Sequence, residues 1–339
     1  MRLLTFLILI FFYKYTFAIY FNKISVSDGL INNSVLSIAQ DSLGRIWFGT
    51  EQGISIYDGN RIISYDENEM DNHSTYNNSS IKNIITDFKG NVYFISSPGL
   101  IKYDINNQTF KTICAKKINA LHYHNGIIYF ASDNKLFKWD NYNNTEVFIE
   151  NIPTNATGMI IDNNNNKWFI SEEGLFFSEE GYKTKKISDY PFYSIYKSKS
   201  NEIWAGSKMN GLFRIKSPND ITTYNTQNSS SKGLFNNNIR KITEDEYGYI
   251  WFGIFNGLYK YHPKKDKFSS YIRENNQGAL SNSSVYSVFI DNNNTLWVGT
   301  YFGGANYSDL YQEDFIHITA SDSKNSLSHP VVGDMTEDD

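Results

Sequence analysis

Residues 41–59 read DSLGRIWFGTEQGISIYDG. Asp41 to Gly44 has the composition of a turn, and a short apolar run around Trp47 follows it. Thr50 to Gly53 turns again, and a second apolar run ends near Tyr57. Short runs rich in Ile, Phe and Trp, bounded by Asp and Gly, predict two β-strands joined by a tight hairpin.

The same device recurs along the chain. Its close copies are Gly248 to Ile254 (GYIWFGI) and Asn294 to Thr300 (NTLWVGT), with shorter ones at Asn166 to Ser171 and Asn201 to Ser207. Two more, Gly90 to Ser96 and Gly126 to Ser132, carry Tyr in place of Trp. The seven anchors are therefore Trp47, Tyr93, Tyr129, Trp168, Trp204, Trp251 and Trp297, spaced 36 to 47 residues apart. Before each anchor lies a short apolar run, such as Val35 to Ala39 or Val285 to Ile290. A third strand follows, usually opened by Gly, and a fourth often follows that, as in Arg61 to Tyr65 or Phe268 to Tyr271.

Four short antiparallel strands at this period make a propeller blade. One blade cannot bury both of its faces, so the blades stack around a ring. The fold predicted is all-β, a seven-bladed β-propeller of four-stranded antiparallel blades over residues 19–320. Alternation puts Ile46 and Phe48 on one blade face and Arg45 and Trp47 on the other. Both faces meet neighbouring blades, so the anchors read as packing wedges rather than ligand platforms. The small residue after the anchor (Gly49, Gly206, Gly253, Gly299) suggests little side-chain room near the ring axis. Phe21 to Ser25 precedes the first full unit and is placed as the outer strand of the last blade, closing the ring.

The ends carry further expectations. Arg2, the apolar run Leu3 to Tyr13 and the exit Thr16-Phe17-Ala18 have the layout of a secretory signal peptide over residues 1–18, giving a periplasmic or secreted protein with no membrane span after cleavage. Residues 321–339 echo the stretch around Ala279 to Val285 and read as the start of a further, truncated repeat or as a disordered tail.

The formal net charge is −5 and the local cluster Lys183, Lys185 and Lys186 is short enough to be a solvated hairpin, so nothing supports a nucleic-acid surface. The lone cysteine, Cys114, reads as a buried thiol. His122 and His124 share a strand face but lack the further ligands of a zinc site. Asp162 to Asn166 (DNNNN) lacks the Gly and Glu of a calcium loop and reads as a β-turn. No phosphate loop or nucleophile elbow occurs. No catalytic, cofactor-binding or metal-binding residue is assigned, and the chain is read as non-enzymatic.

The repeats resemble the two-component regulator propeller repeat. Ser34 to Asp58 (SVLSIAQDSLGRIWFGTEQGISIYD) matches its pattern closely, and Ile239 to Tyr261 and Val285 to Tyr307 nearly as well. The opening Ile24 to Asn33 (ISVSDGLINN) looks like the entrance of the sensor region in Bacteroides-type hybrid two-component histidine kinases. The resemblance implies a periplasmic ligand-sensing propeller, for glycan fragments, with an oligosaccharide as ligand and sensor-family domains or a second copy as partners. Such sensors continue into a second propeller, a membrane helix and a kinase. This sequence departs from that plan and reads as a truncated sensor without kinase activity of its own. The alternatives from the residues alone are a secreted propeller enzyme, a polysaccharide lyase or glycoside hydrolase, and a protein-interaction scaffold.

Overall fold

The computed structural model describes residues 19–66, 80–97, 99–153, 155–180, 182–228, 233–274 and 278–310. The expected leader over 1–18 and the expected repeat start or tail over 321–339 lie outside the described residues.

Seven four-stranded antiparallel sheets form a ring, with one 3-10 turn, Val26–Asp28, the only helical element among the described residues. The blades, numbered 1 to 7 here, occupy residues 35–65, 84–114, 120–151, 158–188, 192–224, 239–271 and 285–309. In each blade the first strand is innermost, and the first strands of neighbouring blades face one another around the axis. The chain then moves outward through strands two, three and four.

The ring closes as expected. Asn22–Ile24 pairs with Gly304–Asp309, with Asn22 opposite Tyr307 and Ile24 opposite Ala305. Blade 7 thus takes its outer strand from the start of the described chain and its other three from the end. Ile24 is buried against Trp297, Val35 and Phe48, so the joint is part of the core.

The apolar core is distributed over seven clusters, one at each interface between blades. Trp47 of blade 1 packs on Ile81, Val92, Phe94 and Tyr103 of the next unit, while Ile46 and Phe48 pack backward on Trp297. This is the alternation read from the sequence. Trp47, Trp204 and Trp251 are fully buried, and Tyr129 is only partly so.

Five of the seven anchors have an acidic partner six residues upstream, which the sequence reading passed over. The turn acid Asp41 accepts the backbone N–H groups of Leu43 and Arg45 on Oδ1, and on Oδ2 the indole N–H of Trp47 at 2.8 Å. Asp245 with Trp251 and Asp291 with Trp297 repeat this at 2.8 Å, and Asp162 with Trp168 at 3.3 Å. In blade 2 the Tyr93 hydroxyl donates to Asp87. A carboxylate buried this deeply is tolerated because several donors satisfy it at once. Blade 5 has Ser198 in the acid's place, and the Trp204 indole N–H is left buried without a partner. The Asp162 turn is a plain β-turn, as read.

One expectation is corrected. The glycine after the anchor stands in the second strand, away from the axis. A Cβ on Gly49 would lie 2.5 Å from the Ile81 carbonyl of the next unit, and one on Gly299 2.6 Å from the Val35 carbonyl across the ring closure. The room is taken by the neighbouring blade's entry strand, against which the hydroxyl of Ser37 also donates to the Ile81 carbonyl at 2.7 Å.

Candidate functional site

A propeller offers two mouths to its central shaft. On one face lie the turns between first and second strands, here the turn face. On the other lie the crossings between blades and the turns between second and third strands, here the entry face.

The turn-face mouth is a polar cavity of 810 Å³ lined by Gln40, Asp41, Asp87, Glu244, Asp291 and Asn292, with Lys241 among the residues further in. Much of its polar lining is already engaged by the fold. Asp41, Asp87 and Asp291 hold their anchors, and Gln40 accepts the Asn292 N–H. Burial pulls the Lys241 ammonium below the usual lysine range. Exposed Leu43, Phe88 and Tyr247 stand at turns of three separate blades.

The entry-face mouth over blades 5 to 7 is built differently. In the repeat, the residue after the first buried one of each inner strand stands at this rim: Leu36 in blade 1, Tyr193 in blade 5, Arg240 in blade 6 and Tyr286 in blade 7. The turns between second and third strands bring Phe255 and Phe302 to the same face, 59% and 66% exposed. These side chains touch in series. The Arg240 guanidinium lies 5.3 Å from the Phe255 ring centre and 4.2 Å from that of Tyr286. Tyr286 meets Tyr301 at 5.3 Å, and Tyr301 meets Phe302 at 4.0 Å. In blade 5 the Lys208 ammonium stands 4.7 Å from the exposed Tyr193 ring.

The crossings hold this rim in place. Asn236 and Asn282 accept the N–H two residues on, a turn repeated at Asn32. Asn238 then accepts the Arg240 Nε–H at 3.0 Å and donates to the Lys208 carbonyl, while Ser284 accepts from Arg240 Nη1 at 2.8 Å. Large apolar rings held open to water, with fixed polar groups between them, are the composition of a ligand platform. Sequence reasoning missed Arg240, Tyr286, Phe255 and Phe302. The usable signal was positional: an Arg or Tyr where blade 1 has Leu36.

The residues weighed from sequence fall elsewhere. His122 and His124 stack with ring centres 6.1 Å apart. Burial, then the neighbouring His124 and Lys197 charges, push His122 down to about 4. Among the described residues no group of three or more His, Cys, Asp or Glu is placed to hold a metal ion. The Cys114 thiol is buried and 3.1 Å from a Glu146 carboxylate oxygen, and burial with that hydrogen bond pushes it up to about 12.

Comparison with known proteins bears on this geometry. The family model described as the two component regulator propeller matches residues 29–52, 233–256 and 279–302, each running from a crossing through the anchor strand. The chain carries two-component regulator propeller repeats. The matches to this regulator propeller model include the crossings and hairpin turns that build the entry-face rim. A curated relative, Histidine kinase P4 of Formosa agariphila, is 27% identical over 158 residues, covering 45% of this chain and 11% of that protein. The extracellular domain assigned to the hybrid two component system BT3049 of B. thetaiotaomicron superposes with a TM-score of 0.74 at 21% identity, over 91% of this chain and 44% of that one. Virginiamycin B lyase from Staphylococcus aureus superposes with a TM-score of 0.67 at 13% identity, over 86% of this chain and 99% of that one. Identities this low speak to fold alone. The chain thus spans under half of that sensor domain's length and about a ninth of that kinase's. Among the described residues no helix is long and apolar enough to cross a membrane.

Proposed function

We propose that this protein is a periplasmic or secreted ligand-sensing module of the hybrid two-component type, taking glycan fragments at its entry-face mouth. The observation that carries the reading is the conjunction of regulator propeller repeats with a fold seen in extracellular domains of such systems. The signal-peptide layout of residues 1–18 supports the compartment. The platform of Tyr286, Tyr301 and Phe302 beside Arg240 supports the ligand class, since pyranose rings stack their apolar faces on aromatic rings and leave hydroxyls for amides and guanidinium groups. Its partners in this reading are the oligosaccharide and either sensor-family domains or a second copy of the chain.

A panel of polysaccharide-derived oligosaccharides tests this by calorimetry and by product analysis in the same samples. Saturable binding with the sugar recovered intact is the expected result. Cleavage of the bound sugar instead favours the lyase or hydrolase reading that the lyase-like fold keeps in view. Binding of protein partners alone favours a scaffold.

A further inference from the structure

The charge pattern at the entry-face mouth narrows the ligand. Arg45, Arg61 and Arg214 each hold a carboxylate, from Asp41, Asp58 and Glu202. Arg240 does not: among the described residues no carboxylate lies within 4.0 Å of it. Its guanidinium is nevertheless fixed, by Asn238 on Nε, Ser284 on Nη1, and the Tyr286 and Phe255 rings on its faces. These neutral acceptors use two of the five N–H donors and leave Nη2 without a protein acceptor among the described residues. The next residue, Lys241, is buried in the shaft below, where burial disfavours its charged form, so it supplies no second fixed cation at the rim. In the other direction Lys208 is neutralised by Glu172, so the uncompensated positive charge centres on Arg240.

A guanidinium held in a partly covered site without a counter-charge carries a desolvation cost that an anionic ligand offsets. A planar fork held rigid with open donors matches a carboxylate, which it binds with two parallel hydrogen bonds. The rings that run from Tyr286 through Tyr301 to Phe302 supply an adjoining apolar face of about the extent of one or two sugar rings.

We propose that the entry-face mouth binds an acidic oligosaccharide, with a uronic acid carboxylate on Arg240 and the sugar rings along Tyr286, Tyr301 and Phe302. This rests on the glycan-sensing reading above and adds its charge class. A neutral sugar would leave the Arg240 donors to water.

The test is calorimetry on the whole secreted protein with tetrasaccharides of galacturonate, mannuronate and glucuronate. Each is compared with its carboxyl-reduced neutral counterpart. At least one acidic tetrasaccharide binds tenfold or more tighter than its neutral form. Arg240→Gln removes that preference and Arg240→Lys keeps part of it, because a point charge replaces a fork. Phe302→Ala, on an exposed turn, weakens both forms. Circular dichroism and thermal melting of each variant show that it is folded. Equal affinity for acidic and neutral forms, unchanged in Arg240→Gln, overturns the acidic-ligand proposal and leaves the glycan sensor standing. Failure of every acidic and neutral sugar to bind overturns both.

Discussion

Asp245 is fully buried and serves three donors: the Trp251 indole and the N–H groups of Tyr247 and Tyr249. Replacing it with alanine strands all three and leaves the partly buried Lys260 without its acidic neighbour at 3.9 Å. Asp245→Ala therefore costs about 3–5 kcal/mol, read as a lower urea midpoint with an unchanged slope. Gly299 answers to a different constraint. A methyl group there would meet Ser287 Oγ at 2.1 Å and the Val35 carbonyl at 2.6 Å, so Gly299→Ala costs about 1–3 kcal/mol by overpacking, in the same assay. Cys114, buried and with its pKa pushed up, reacts with iodoacetamide at pH 8 far more slowly than a free thiol and at a normal rate in urea. Mass spectrometry of alkylated peptides measures both. The anchors were legible because a repeat shows them seven times over, and the glycine because it returns in four blades. The Asp partner was present at a constant offset too, but its role needed the folded turn that swings the carboxylate onto the indole. Arg240 was not legible as a site residue. It occurs once, and only the register of the inner strand shows that it stands at the rim while Lys241 lines the shaft.

At the scale of a strand, the inner element of blade 3 carries a pH response. The folded state holds His122 near a pKa of 4, below the ordinary 6.5, through burial and then the charges of His124 and Lys197. Below about pH 6.5 the unfolded chain takes up a proton that the folded chain refuses, so stability falls as pH drops toward 4. It loses at most about 3 kcal/mol over that window, and nothing more below it from this group. Thermal melts between pH 7 and 4 follow the loss, and His122→Leu flattens this part of the curve. Strand order and blade boundaries were read nearly residue for residue, because four-strand periodicity and Asp/Gly turns are local signals. What failed at this scale was the radial position of the anchor strand. Sequence gives the order of strands in a blade, but which of them meets the axis depends on packing between blades.

The whole molecule depends on a joint between residues far apart in sequence. Asn22–Ile24 supplies the outer strand of blade 7, and Ile24 is buried with Trp297 and Val35. Ile24→Asp puts an unpaired charge at this joint, costs about 3–5 kcal/mol, and is seen as early proteolysis of blade 7 before blades 2 to 5. The closed ring in turn fixes the crossings that carry Asn238 and Ser284, and so the geometry of the entry-face mouth. The central claim is that this mouth, and not the turn-face cavity, takes the ligand. Hydrogen exchange of the protein with and without a binding oligosaccharide tests it directly. Protection confined to 235–240, 255–256, 281–286 and 301–303 is the predicted result. Protection at the turns around Asp41, Asp245 and Asp291, with the entry face unchanged, would contradict it.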